Sequence, residues 1–293
     1  MGKIIFGSSG NDEDFYLEHT SSAEAPAYLA KKNVFGYEYG FTHGIHSNQL
    51  NAYLELADEC NKNDTSLSIH AQFFINFASD EDIKVENSIN YLLQSYDYGV
   101  CKMGAERIVF HPAALGKHSR KEALEIAKAN LTEFANRFAK YRQSHNGRSA
   151  YFCIETMGKH GQLGTVDEVL ELCAISDIFM PCIDFGHINS FEGGSLKSVQ
   201  DYVSIIEKIK STFSDERSNN LHIHFSKIKY GPKGELSHLK FSDDGEPDYK
   251  QMIDALIQTG VNATVICESR GSQMKDAEIM CEYYNNKVSS VDV

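Results

Sequence analysis

The chain has 293 residues, 42% of them hydrophobic and 24% charged, with a formal net charge of −13. Such a length can bury a large core, as one big α/β domain or two small ones. The acidity argues against a broadly basic nucleic-acid-binding coat but leaves local contact open. Because no apolar run is long enough for a transmembrane helix, no membrane partner is expected. The start, Met1 to Gly7, lacks the long apolar segment of a signal peptide and reads as a first strand. Seven cysteines are scattered without CxxC pairs, and Cys153, Cys182 and Cys267 lie in apolar runs. This pattern predicts a reducing, cytoplasmic setting rather than a disulfide framework. No protein partner is evident.

In chain order, Ile4 to Gly7 is a short strand followed by the turn signal Ser8-Ser9-Gly10-Asn11. Ser22 to Lys32 is Ala-rich and helical, and Val34 to Gly40 is β-branched and aromatic, a second strand. Gln49 to Asn61 carries apolar residues at helical spacing, and Leu67 to His70 is a third strand. A long amphipathic helix is expected from about Glu81 to Met103, then a fourth strand from Arg107 to Pro112, where the proline stops it. Arg120 to about Arg142 is a second long helix and Tyr151 to Glu155 a fifth strand. Thr165 to Cys173 is helical, with Thr165 and Glu168 spaced as a capping box.

The sixth strand is the apolar run that closes in Asp184; being apolar on both faces, it belongs inside a parallel sheet. Ser195 to Phe213 is helical and Leu221 to Phe225 is a seventh strand, followed by a long loop from about Ser226 to Glu246. Pro247 to Thr259 is a helix with proline at its start, Ala263 to Glu268 an eighth strand, and a last helix runs to about Asn285. Eight strands alternating with eight helices, with no linker between them, predict a single (β/α)8 TIM barrel domain over residues 1–293. The other architecture, a doubly wound sheet, is disfavoured because nothing like GxGxxG follows the first strand.

Strands three to eight all finish in a potential metal ligand: His70, His111, Glu155, Asp184 with His187, His222 and Glu268. The loop after strand seven adds Glu235 and His238. A barrel brings its carboxyl strand ends to one mouth, so these residues become neighbours there. Nine groups exceed what one ion uses and suit two or three. The histidine-rich mix favours Zn, with Mn or Fe as alternatives. Clustered divalent ions activate water and clamp phosphoryl oxygens, so phosphate-ester hydrolysis is the natural chemistry. His43, His46, His118 and His160 are read as structural.

As an ordered set, Ser68-Ile69-His70, Phe110-His111-Pro112, Ile154-Glu155-Thr156, Cys182-Ile183-Asp184 with His187, His222 followed by Lys227, the Glu235/His238 loop and Cys267-Glu268 resemble the endonuclease IV family (AP endonuclease family 2). That family is one of the xylose isomerase-like TIM barrels, and the likeness spans essentially the whole chain. It implies three metal ions and a hydrolase that cleaves DNA 5′ to abasic sites in base excision repair. By that resemblance His70 and His111 hold a first ion and Glu155 bridges it to a second. Asp184, His222 and Glu268 complete the second, with Glu268 also orienting the attacking water and His224 behind them or in place of His222. His187, Glu235 and His238 hold the third, while Lys227 and Arg270 contact phosphate.

Two features depart from the family. Its acid in the strand-seven loop, usually Asp, lies two residues before the histidine, whereas Glu235 lies three before His238. Its DNA-inserting arginine after strand two has no counterpart in Phe41-Thr42-His43-Gly44-Ile45-His46, leaving Phe73 and Phe74 as apolar wedges. The alternative function is a sugar or sugar-phosphate isomerase or epimerase of the same superfamily. Such an enzyme uses one or two ions on mainly carboxylate ligands, which would idle His70, His111 and His238.

Overall fold

The computed structural model describes residues 2–145, 147–214 and 216–289. Eight strands form a closed parallel barrel: β1 (Ile4–Ser9), β2 (Gly36–Gly40), β3 (Ser66–His70), β4 (Arg107–Phe110), β5 (Tyr151–Glu155), β6 (Phe179–Asp184), β7 (Asn220–Phe225) and β8 (Asn262–Cys267). β1 pairs with both β2 and β8, which closes the ring. Gly7 sits opposite Gly36 at that seam, and a Cβ on Gly7 would lie 2.5 Å from the Gly36 backbone. Only glycine permits strands to approach so closely.

Side chains alternate across each strand, so neighbours along the chain serve different compartments. Ile108, Phe110, Phe152, Ile154 and Phe179 belong to the main core with the helix Arg120–Ser144. There Phe134 and Phe138 each meet Phe152 edge-on at 4.8 Å. Each such pair adds about 0.5–1.5 kcal/mol beyond the area it buries. The intervening Val109, Cys153, Met180 and Cys182 form a separate buried cluster, the apolar half of the barrel interior. The capping boxes Ser119/Glu122 and Thr165/Glu168 start their helices as the residue types dictate.

The structure differs from the expected elements in four places. The helix from Asp82 ends at Ser95 and passes into a π-helical turn, Tyr96–Lys102. β4 stops at Phe110, and Ala113–Ala114 instead pairs antiparallel with Gln162–Leu163, tying two loops together above the mouth. A short helix, Phe185–Phe191, follows β6 directly, because Asp184 caps it by accepting the His187 amide at 2.7 Å. The long segment after β7 is no open loop but an antiparallel hairpin of Lys227–Gly231 and Gly234–Leu239. Among the described residues no helix is long and apolar enough to cross a membrane.

Candidate metal centre

His70, Glu155 and Asp184 are the last residues of β3, β5 and β6, and His111 and Glu268 follow β4 and β8 by one residue. Glu155 is the hub. Its Oε2 lies 3.3 Å from His70 Nε2 and 3.1 Å from His111 Nε2, and its Oε1 lies 3.3 Å from His187 Nδ1 and 3.4 Å from His224 Nδ1. Three sets of ligand-type atoms gather at the mouth, each within 4.8 Å of one another: His70, His111 and Glu155; Glu155, Asp184, His224 and Glu268; His187, Glu235 and His238. Glu155 belongs to two of them.

Backbone carbonyls aim two of the rings. His70 Nδ1 donates to Ala71 O and His187 Nδ1 to Thr156 O, both at 2.9 Å, which turns His70 Nε2 toward Glu155 and His187 Nε2 toward Glu235. Such outer contacts fix tautomer and orientation of an imidazole ligand.

The third set depends on an irregularity in the hairpin. Tyr230 faces Glu235 and Lys229 faces Ser237, so Leu236 is an extra, bulged residue. The bulge absorbs one position, and the three-residue Glu235–His238 spacing keeps both side chains on one face as a two-residue spacing would. The Glu235 amide donates to Gly158 O at 2.9 Å, anchoring the hairpin across the mouth. Glu235 Oε2 is then 3.5 Å from His187 Nε2, and Oε1 is 3.9 Å from His238 Nε2 and 3.7 Å from Lys159 Nζ. Ser226 Oγ shares a 2.8 Å hydrogen bond with His238 Nδ1.

Four expected assignments need correction or refinement. His222 does not join Asp184 and Glu268: β7 pairs His224 with Asp184 and places His222 one layer deeper, beside Cys182. His224 takes the place expected of it. Lys227 is no phosphate contact in this arrangement, since its Nζ donates to Phe241 O and Asp243 O at 2.8 and 2.7 Å. Phe74 packs near Tyr91, away from the residues lining the mouth. Phe73 and Arg270 do line it, with Phe73 stacked on His111 at 5.5 Å. The sequence reading missed Glu38, fully buried on β2, whose carboxylate faces both His222 and His224 at 3.0 Å. Its signal was a lone acid amid the aromatic and glycine residues of β2.

Electrostatics bind these groups to one another. Burial opposes ionisation of Glu155, yet the imidazoles of His111, His187 and His224 outweigh it and hold the carboxyl well below its usual range. Burial likewise pulls His187 down, but Asp184 and Glu155 push it up to about 10. Asp184 is raised, chiefly by burial. Its Oδ2 and His224 Nδ1 are buried without a hydrogen-bond partner, although His224 Nδ1 lies 3.4 Å from Glu268 Oε1. Buried polar atoms are ordinarily satisfied. Acceptor oxygens and ring nitrogens aimed at common points are the donors that divalent Zn, Mn or Fe takes. The residues present therefore fit a metal cluster.

A closed barrel with acids and imidazoles at the carboxyl ends of its strands defines a class of TIM-barrel proteins. A family model described as xylose isomerase-like TIM barrel matches residues 30–284, and the chain belongs to that family. It is 30% identical over 282 residues to an uncharacterized protein of Methanocaldococcus jannaschii, covering 96% of this chain and 97% of that one. It is also 26% identical over 191 residues to a probable endonuclease 4 of Mycoplasma genitalium, covering 63% and 60% respectively. Among solved structures, a D-tagatose 3-epimerase-like protein superposes with a TM-score of 0.68 at 20% identity, over 98% of this chain and 99% of that one. Both a nuclease and an epimerase name thus stand among the proteins this chain resembles.

Proposed function

We propose that the chain is a metal-dependent phosphodiester hydrolase that cuts DNA 5′ to abasic sites. The observation that carries this reading is the convergence of three ligand sets on one mouth, with Glu155 common to two of them. A sugar epimerase needs only the carboxylate-rich set of Glu155, Asp184, His224 and Glu268, which leaves the other histidines without employment. Ions held there, most naturally Zn by the share of histidine, supply Lewis acidity and lower the pKa of an attacking water. Glu155 and Glu268 orient the reacting groups. Lys159 and Arg270 are the cations lining the mouth and are suited to a phosphate. Exposed Phe73 and Leu236 both line the mouth and offer apolar surface to an extruded nucleotide.

The epimerase reading has its own support: the cavity, about 660 Å3, is of a size suited to a free sugar. The test is metal analysis of the purified protein together with incision of a duplex carrying one abasic site. Near three ions per chain with 5′ incision is the expected result. One or two ions with turnover of a ketose or sugar phosphate, and no incision, moves the protein to the epimerase branch.

A further inference from the structure

We propose that Glu38 is a positioning residue that sets which nitrogen of His224 faces the metal centre, and that Arg107 and His222 form the chain that holds Glu38 to this task. The inference rests on reading the mouth as a metal centre.

The chain of contacts begins at Arg107. Its Nη1 lies 3.2 Å from His222 Nδ1 and 3.3 Å from Leu221 O, and its Nη2 lies 3.2 Å from Asn220 O. A guanidinium only donates, so His222 Nδ1 must accept and the ring proton sits on Nε2. That proton goes to Glu38 Oε2 at 3.0 Å, which also accepts from Ser68 Oγ at 2.8 Å. Oε1 is left to face His224 Nε2 at 3.0 Å, a close polar contact bent off the line of a regular hydrogen bond. A carboxylate only accepts. The contact is favourable only with a proton on His224 Nε2, which leaves Nδ1 as the atom to serve as a ligand, 3.4 Å from both Glu155 Oε1 and Glu268 Oε1.

His70 and His187 are aimed by single backbone carbonyls. His224 alone among these three has a buried carboxylate in place of a backbone carbonyl at its second nitrogen, and that carboxylate in turn meets a second histidine held by a buried arginine. Burying the charges of Arg107 and Glu38 inside a barrel costs stability unless they are paired, so the run from Arg107 through His222 and Glu38 to His224 has a purpose beyond packing.

The test is a Zn2+ titration of the purified full chain against a chromogenic chelator, with a thermal melt to verify folding. Glu38→Gln is expected to weaken one bound ion by about 10–100-fold, the range for lost outer partners of a metal ligand. The two rings meet different oxygens of Glu38, and an amide puts an NH2 donor in place of one of them. His222→Gln keeps a donor toward Glu38 and is expected to bind nearer to wild type than His222→Phe; a role in packing alone predicts the reverse order. Unchanged binding in folded Glu38→Gln overturns the proposal while leaving the metal centre standing. So does loss of an ion in His222→Phe or Cys182→Ser as complete as in His224→Ala, which would make the deep trio of Cys182, His222 and His224 a cation site itself. A wild-type chain that takes up no Zn2+ overturns this inference and the metal reading together.

Discussion

The mouth is built in two ways. The first two ligand sets stand on barrel strands or one residue beyond them, and each of those strands pairs with neighbours on both sides. The third set hangs on a helical first turn and a two-stranded hairpin anchored through the Glu235 amide and Gly158. Strand periodicity fixes where a side chain points once the register is given. A hairpin has no such enforcement, and here one bulged residue supplies it. The strand-borne sets therefore form the rigid floor, and the third is the part that small changes in chain length can move.

The largest expected effect lies in the floor. Glu268→Gln keeps shape and removes charge, and is expected to lower the incision rate by on the order of a thousandfold or more with an unchanged thermal melt. Full activity would remove Glu268 from the mechanism. At the rim, His238→Ala is expected to lower the metal content by about one ion per chain while the floor keeps its own, because its ligands are carried by other elements. An unchanged count in elemental analysis would dissolve the third set.

Chain length offers a sharper contrast. Inserting one glycine between Leu236 and Ser237 turns His238 to the opposite face and is expected to cost the same ion. Deleting Leu236 leaves Glu235 two residues from His238 in a regular ladder, and the ion is expected to stay. If both variants lose it equally, the bulge is not what keeps the two side chains together.

The same contrast explains what could be read from the sequence. Short apolar runs closing in a ligand type marked β3 to β6 and β8, and the barrel followed from their count and spacing. His222 and His224 share one face of β7, so periodicity could not say which reaches the mouth. The pairing of His224 with Asp184 decides it, and pairing is a tertiary fact. Glu38 was invisible for a related reason: a single acid in a short strand gains meaning only when β7 supplies two histidines across the barrel. The hairpin escaped because its bulge and its polar, glycine-bearing sequence blur the alternation that marks a strand. The helix after β6 escaped because Asp184 both ends a strand and caps the helix.

A smaller effect is expected from Gly158→Ala. A Cβ there would meet Ser190 Oγ at 2.7 Å, Glu235 Cβ at 2.8 Å and His187 Cδ2 at 3.0 Å. Ser190 Oγ can rotate away, but Glu235 Cβ moves only with the hairpin backbone and His187 only with its buried ring, so the expected result is a several-fold weaker third ion in the Zn2+ titration, with the floor sites unmoved. Weakening of all ions together would mean that floor and rim are coupled through Glu155, which sits 3.3 Å from His187.

The smallest effect concerns the residue that makes the bulge. A bulge re-aims a side chain as well as correcting register, and Leu236, 61% exposed, lines the mouth together with Phe73 at 50%. Two large apolar groups left in water beside an acidic floor are expected to contact substrate rather than core. Leu236→Ala leaves the backbone register alone and removes only that surface. The expected outcome is a few-fold rise in KM for abasic duplex at constant kcat, because lost uniform binding leaves the chemical step untouched. A fall in kcat with unchanged KM would instead place Leu236 in support of the third ligand set, and the rim would then differ from the floor in construction but not in role.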